Sequence, residues 1–269
     1  MKNKILRALK ALLFMLRHPS SIMQAYAERD AHRKEVIRKY NLPKGLPVID
    51  ISDLLGLVDE TISPYSFLEG TSTPLDLALL KSLSKRFPGG DYFEIGTWRG
   101  ESVVNVASTG MNCITFNLSD EQLVKRKASE KLIKLQGYYS KTNSAITHLH
   151  GDSRNYDFKS LNKKFDLIFV DGDHNYESVI NDTSKIFGLL KDERSIIVWH
   201  DYGSTPEDIR WEVLHGILEG TPEQFRNNIY RVSNTLCAIF TRQQINSHFS
   251  EFPETPRHDF RIHIQINNK

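Results

Sequence analysis

From about residue 73 the chain alternates between two hydrophobic rhythms. Leu79, Leu80, Leu83 and Phe87 recur at helical spacing behind Thr73, which can cap, Pro74, which suits a first helical position, and Asp76, which puts negative charge in the first turn. Pro88-Gly89-Gly90 ends that helix. Residues 91–95 then read as a strand, 96–100 as a tight turn, 101–107 as a helix and 112–117 as a strand. Ser119 and Gln122 form a capping box for one helix running toward Leu135. Residues 145–149 and 165–170 are further strands. Tyr176, Val179, Ile180, Thr183, Ile186, Phe187 and Leu190 recur at steps of three and four and mark the clearest helix in the chain. Residues 195–199 show no polar alternation, as expected for a strand covered on both faces. Residues 230–233 and 236–240 flank Asn234-Thr235 as a terminal antiparallel hairpin. Strands separated by helices at this rhythm predict an α/β fold with a doubly wound, mostly parallel seven-stranded sheet.

The chain ahead of this body has a different character. Ile5, Leu9, Leu12, Leu13 and Leu16 share one helical face, with Lys2, Lys4, Arg7 and Lys10 mostly elsewhere. The apolar stretch is interrupted by charge and no small-residue cleavage site follows it, which argues against a secretory signal. Such a basic amphipathic helix suits an anionic membrane surface or packing on its own domain or a dimer partner, and packing is the favoured reading. Residues 32–40 predict a second charged helix, and Pro43, Gly45 and Pro47 a linker. The organisation expected is an N-terminal helical extension and linker over 1–70, a catalytic domain over 71–242 and a tail over 243–269. Within the tail, residues 261–266 alternate polar and apolar, the pattern of an edge strand or of pairing between subunits in a homodimer.

Charge sharpens the division. The 269 residues carry 35 basic and 33 acidic side chains, but residues 1–45 hold eleven basic and three acidic. The rest is net acidic, which disfavours nucleic acid as a partner. Cys113 and Cys237, both in apolar strand-like runs, read as buried thiols of a reducing cytosol. No apolar run approaches a membrane span. The expected location is therefore cytoplasmic, with peripheral membrane contact confined to the basic helix.

In an open parallel sheet, ligands gather outside the carboxyl ends of the strands. Those ends carry Glu94-Ile95-Gly96, Asn117, Gly151-Asp152-Ser153, Asp171-Gly172-Asp173-His174 and His200-Asp201. Glycines in the 94–100 turn let backbone approach a ligand, while Thr97-Trp98 breaks a dinucleotide-type Gly-x-Gly-x-x-Gly pattern. One crossover helix separates Asp171 from Asp201, so their strands should be neighbours. Paired carboxylates with open positions suit Mg²⁺, Mn²⁺ or Ca²⁺. The other reading of Asp171 is cofactor binding or helix capping without metal. His174 is either a general base near neutral pKa or a capping or cofactor-contacting residue. Tyr156, Trp199, Tyr202 and Trp211 are candidates for an acceptor pocket or for core.

Glu94-Ile95-Gly96-Thr97-Trp98-Arg99-Gly100-Glu101-Ser102, Gly151-Asp152-Ser153, Asp171-Gly172-Asp173-His174-Asn175-Tyr176 and His200-Asp201-Tyr202 together resemble the class I S-adenosylmethionine-dependent methyltransferases. The likeness is greatest to bacterial small-molecule and sugar O-methyltransferases, and spans about residues 73–242. It implies a Rossmann-like methyltransferase fold with S-adenosylmethionine as cofactor. Glu94, Gly96 and Gly100 would serve its amino-acid end, Asn117 its ribose, Asp152 and Ser153 its adenine, with Thr97, Ser102 and Asp171 also in contact. The family usually has Asp or Glu where Asn117 stands. The resemblance further implies a Mg²⁺ or Mn²⁺ ion held by Asp171, Asp201 and His200, with Asp171 and His174 catalytic and a small-molecule or sugar hydroxyl as acceptor. Two alternatives are a metal-dependent hydroxylase-like enzyme on the same fold and a non-catalytic S-adenosylmethionine-binding module.

Overall fold

The computed structural model describes residues 19–203, 205, 208–251 and 253–267. The basic amphipathic helix expected within residues 1–17 lies outside them. In chain order the elements are α1 (Pro19–Tyr40), β1 (Val48–Ile49), α2 (Ile51–Leu55), α3 (Pro74–Ser84), β2 (Asp91–Ile95), α4 (Glu101–Ala107), β3 (Asn112–Asn117), α5 (Asp120–Lys125), α6 (Glu130–Leu135), β4 (Ile146–His150), β5 (Leu167–Val170), α7 (Tyr176–Ile186), β6 (Ile196–Trp199), α8 (Trp211–Gly220), β7 (Ile229–Val232), β8 (Ala238–Phe240) and β9 (Ser247–His248).

Among the described residues nine strands join one sheet in the order β4-β3-β2-β5-β6-β8-β7-β1-β9. The seven strands expected from sequence are present, and five of them, β4-β3-β2-β5-β6 at one end of the sheet, run parallel. β8 runs antiparallel between β6 and β7 and supplies the predicted hairpin. The sheet extends further than expected: β1 pairs parallel with β7, and β9 antiparallel with β1. Residues 43–49, read as linker, thus reach the sheet, where Leu46 is buried and its N–H donates to the Tyr202 hydroxyl at 2.9 Å.

Strand alternation explains the two layers of core. Ile168 and Val170 point to one face, against Val179 and Ile186 of α7 and Leu214 and Ile217 of α8. Leu167 and Phe169 point to the other, against Leu79, Leu80 and Leu83 of α3 and Val103 and Val106 of α4. Every residue of β5 and β6 is buried, as their unbroken apolar runs require.

Several local expectations change. The single helix expected toward Leu135 is two, α5 and α6. Lys127 adopts a left-handed φ of 60° and the Ser129 side chain caps a new start by accepting from Leu132 N–H. The clearest sequence helix ends at Ile186, followed by a 3-10 turn over Phe187–Leu189. Residues 261–266 form no strand, and Ile262, Ile264 and Ile266 are exposed. α8 was not foreseen. Its Gly216 and Gly220 face α7 so closely that an added Cβ would lie 2.8 Å from Val179 Cβ and 2.7 Å from Thr183 Cβ. Those glycines weaken a helical reading of the sequence, yet they are what lets α8 seat on α7. Among the described residues no helix is long and apolar enough to cross a membrane.

Candidate active site

The strand order reverses beside β2, whose neighbours are β3 and β5. This switch point opens a cleft at the carboxyl ends of the parallel strands. Gly96, at φ +101°, lets β2 and β5 converge there: a Cβ on it would lie 2.0 Å from the Asp171 carbonyl oxygen. The cleft is lined by Gly96, Asn117, Asp152, Ser153 and Asp171, all expected from sequence, with Trp98, Arg126, Gln136 and Asp182, which were not. The carboxamide of Asn117 donates to the Gln136 side chain. Asp152 receives Arg154 at 2.7 Å and Arg126 at 3.1 Å, and the Arg154 hydrogen bond foremost holds its pKa down at about 2. Asp182, on α7, is buried, which raises its pKa.

Glu94, Thr97, Gly100 and Ser102 form the underside of the turn rather than the cleft lining. Glu94 shares the sheet face of Tyr92, so its carboxyl points toward α4, where it accepts from Tyr92 Oη at 2.8 Å and Thr115 Oγ1 at 2.9 Å and bonds Ser102. Thr97 Oγ1 meets Thr115 Oγ1 at 2.6 Å, and Gly100 packs on Ser140. Arg99, buried, binds Glu101, the Leu68 and Glu69 carbonyls and Thr71, and so ties residues 68–71 to the turn. Complete burial pushes the Glu94 carboxyl up to about 7. A carboxyl raised on folding holds its proton in the native state while the unfolded chain has lost it, so this contribution is full below about pH 4.5 and is lost as pH rises through about 7. Glu94→Gln should remove that slope, worth roughly 3 kcal/mol by pKa linkage. Urea titrations of both proteins at pH 5 and pH 8 check this, and parallel pH dependences would count against it.

Next to the cleft, three side chains converge from neighbouring strands. Asp171 follows β5 and His200-Asp201 follows β6, whose backbones are paired. Asp171, His200 and Asp201 each offer one ligand atom, all within 4.8 Å of one another. His200 Nδ1 lies 3.2 Å from Asp171 Oδ1 and 3.7 Å from Asp201 Oδ2, yet is buried without hydrogen-bond geometry to any partner among the described residues. Its Nε2 lies 3.2 Å from Asp76 Oδ2. Burial alone would lower the His200 pKa, but the carboxylates of Asp171, Asp201 and Asp76 carry it well above the ordinary value. Asp201 also meets His174 Nδ1 at 3.2 Å and Arg210 Nη1 at 3.1 Å. Burial pushes its pKa up, and the hydrogen bonds of His174 and His200 with the charge of Arg210 outweigh that and hold it far below the carboxylate range. The hydrogen bond to Asp201 in turn raises the His174 pKa.

The aromatic candidates divide. Trp199 and Tyr202 are core residues, Trp199 Nε1 donating to Thr183 at 3.0 Å, and Trp211 is buried in the same cluster. Tyr156 is half-buried and packs on Phe116. Both cysteines are free and buried. Asp76 was read from sequence only as helix-start charge. Nothing local marks it as a partner of His200, 124 positions away.

Residues 93–202 match a protein family described as a methyltransferase domain. The chain is similar to the S-adenosylhomocysteine-bound methyltransferase PaMTH1 of Podospora anserina, at 16% identity over 68% of this chain and 84% of that one, with a TM-score of 0.47. It is also similar to an O-methyltransferase from Bacillus cereus in complex with S-adenosylhomocysteine, at 14% identity over 71% and 95% of the two chains, with a TM-score of 0.43. No curated protein sequence matches it. The family match runs from within β2 to just past β6, the parallel part of the sheet whose carboxyl ends form the cleft and the Asp171–His200–Asp201 corner.

Proposed function

We propose that the protein is an S-adenosylmethionine-dependent O-methyltransferase acting on a hydroxyl of a small molecule or sugar, with a divalent cation assisting. The observation that carries this reading is the junction, inside the methyltransferase-domain match, of an acidic cleft at the switch point with the Asp171–His200–Asp201 corner. A binding module has no need of the second cluster.

The cleft's donor set fits the cofactor. Its carboxylates suit a ligand bearing an ammonium and a sulfonium, and Asn117 can donate to one ribose hydroxyl and accept from another. Glu94 supports the turn from behind, and Asp152 has two arginines to share with any adenine contact. When bound there, S-adenosylmethionine supplies an electrophilic methyl group. Methyl transfer then depends on alignment and on loss of the acceptor's proton. Asp201 holds His174 by Nδ1, leaving Nε2 as the nitrogen to take that proton. The orphaned Nδ1 of His200 beside two carboxylates fits a divalent ion, which would lower an acceptor hydroxyl's pKa.

Calorimetry with S-adenosylmethionine should give micromolar binding. Incubation with a panel of catechols and glycosides should release S-adenosylhomocysteine, with chelator inhibiting and Mn²⁺ or Mg²⁺ restoring turnover. Failure to bind the cofactor rejects the reading. Binding with no transfer to any hydroxyl compound favours the non-catalytic module, and oxygen consumption the hydroxylase.

A further inference from the structure

We infer that the Asp171–His200–Asp201 corner is built for a divalent transition ion of the Mn²⁺ to Zn²⁺ series rather than for Mg²⁺ or Ca²⁺, and that Asp76 makes it so by fixing the His200 imidazole. The inference rests on the metal-assisted reading above and specifies its ion. Two carboxylates alone are a hard oxygen set, suited to Mg²⁺ or Ca²⁺. An imidazole nitrogen as third donor shifts preference toward the borderline transition ions. Whether His200 counts as a donor therefore decides the class of ion.

Its environment leaves it little choice. The His200 side chain is 8% exposed and that of Asp76 not at all. Asp76 is locked in turn: Oδ2 accepts from Thr73 N–H at 2.7 Å, and Oδ1 from Leu236 N–H at 2.9 Å and from Cys237 Sγ at 3.7 Å. An ionised carboxylate only accepts, so the ring nitrogen facing Asp76 must be Nε2–H. The other nitrogen, Nδ1, is then presented to Asp171 and Asp201 with no hydrogen-bond partner of its own. This is a carboxylate–histidine–metal arrangement, in which the outer carboxylate sets the tautomer, ring orientation and basicity of the ligand. His174 and Arg210, both on Asp201, are the partners that an incoming ion must rearrange. Asp76 would act through His200 and is a positioning residue.

The test is ion binding to the intact protein without cofactor or acceptor, following free Mn²⁺ by paramagnetic resonance and Mg²⁺ by competition. Wild type should bind Mn²⁺ at least about tenfold more tightly than Mg²⁺. His200→Glu, which makes the set all-oxygen, should shrink that ratio by about tenfold or more. Asp76→Asn should weaken Mn²⁺ by about 10- to 100-fold. Since Asp76 also caps α3, Thr73→Ala serves as the control: it removes the reciprocal cap, leaves Asp76 in place and should keep Mn²⁺ affinity. Circular dichroism verifies the fold of each variant. Equal affinity for the two ions in wild type, or an unchanged ratio in His200→Glu, overturns the inference and leaves the metal-assisted reading standing. Wild-type affinity in Asp76→Asn, or equal losses in Asp76→Asn and Thr73→Ala, overturns the role of Asp76. Binding of neither ion overturns the metal-assisted reading together with the inference, and leaves His200 as a cationic partner of the three carboxylates.

Discussion

Gly96→Val should abolish S-adenosylmethionine binding and destabilise the protein by about 3 kcal/mol or more, from overpacking and backbone strain together. The resemblance to methyltransferases suggests that a side chain here would occupy the cofactor's space. The geometry adds a stronger reason. A Cβ at this position would meet Asp171 O at 2.0 Å and Gly172 N at 2.8 Å, both backbone atoms of the segment after β5. Neither is the end of a flexible side chain, so β2 and β5 must separate at the floor of the cleft. Gly172→Ala is a useful contrast, because its Cβ would meet nothing nearer than 3.4 Å and its φ is unremarkable. Thermal melts and cofactor calorimetry on both variants check the expectation. Cofactor affinity unchanged in a folded Gly96→Val protein would sink the assignment of the cleft.

Asp201→Asn should spare cofactor binding and cut methyl transfer by about a hundredfold or more, the scale of losing one electrostatic stabiliser. Asp201 does not line the cleft proposed for the cofactor, but it meets His174, His200 and Arg210 at once. Asparagine keeps the volume and removes the charge, so the proposed base loses its anchor and the proposed ion loses a ligand together. The rate is read as S-adenosylhomocysteine formed with whichever hydroxyl compound the acceptor panel returns. Full turnover in Asp201→Asn in the presence of chelator would remove the metal from the mechanism and leave His174 as the base.

The parallel core and the polar strand ends were legible in the sequence because each rests on local pattern. The uninterrupted apolar runs of β5 and β6 announced strands covered on both faces, and the Thr73 cap of α3 and the Ser119–Gln122 capping box of α5 formed as read. The rule that ligands collect at carboxyl ends then turned scattered Asn117, Asp152, Asp171 and Asp201 into one region. It could not say which side chains face it. Glu94 is next to Ile95, which lines the cleft, but strand alternation turns its carboxyl under the turn toward Tyr92 and Thr115.

What the sequence by itself determined, then, is the order of the seven strands from β2 to β8, the glycine at the switch point and the chemistry available at each strand end. These follow from backbone propensity and periodicity, which act over a few neighbouring residues. Only the tertiary structure decided contacts that span the chain. Asp76 reaches His200 from a helix start 124 residues earlier, with Leu236 and Cys237 closing its other side. Gly216 and Gly220, which on propensity speak against a helix, sit in one because their missing side chains let α8 lie against Val179 and Thr183. Lys44-Gly45-Leu46, read as linker, is held at the sheet by the Tyr202 hydroxyl. In each case the deciding term is a desolvated contact between distant segments, and its strength depends on burial that no local window of sequence contains.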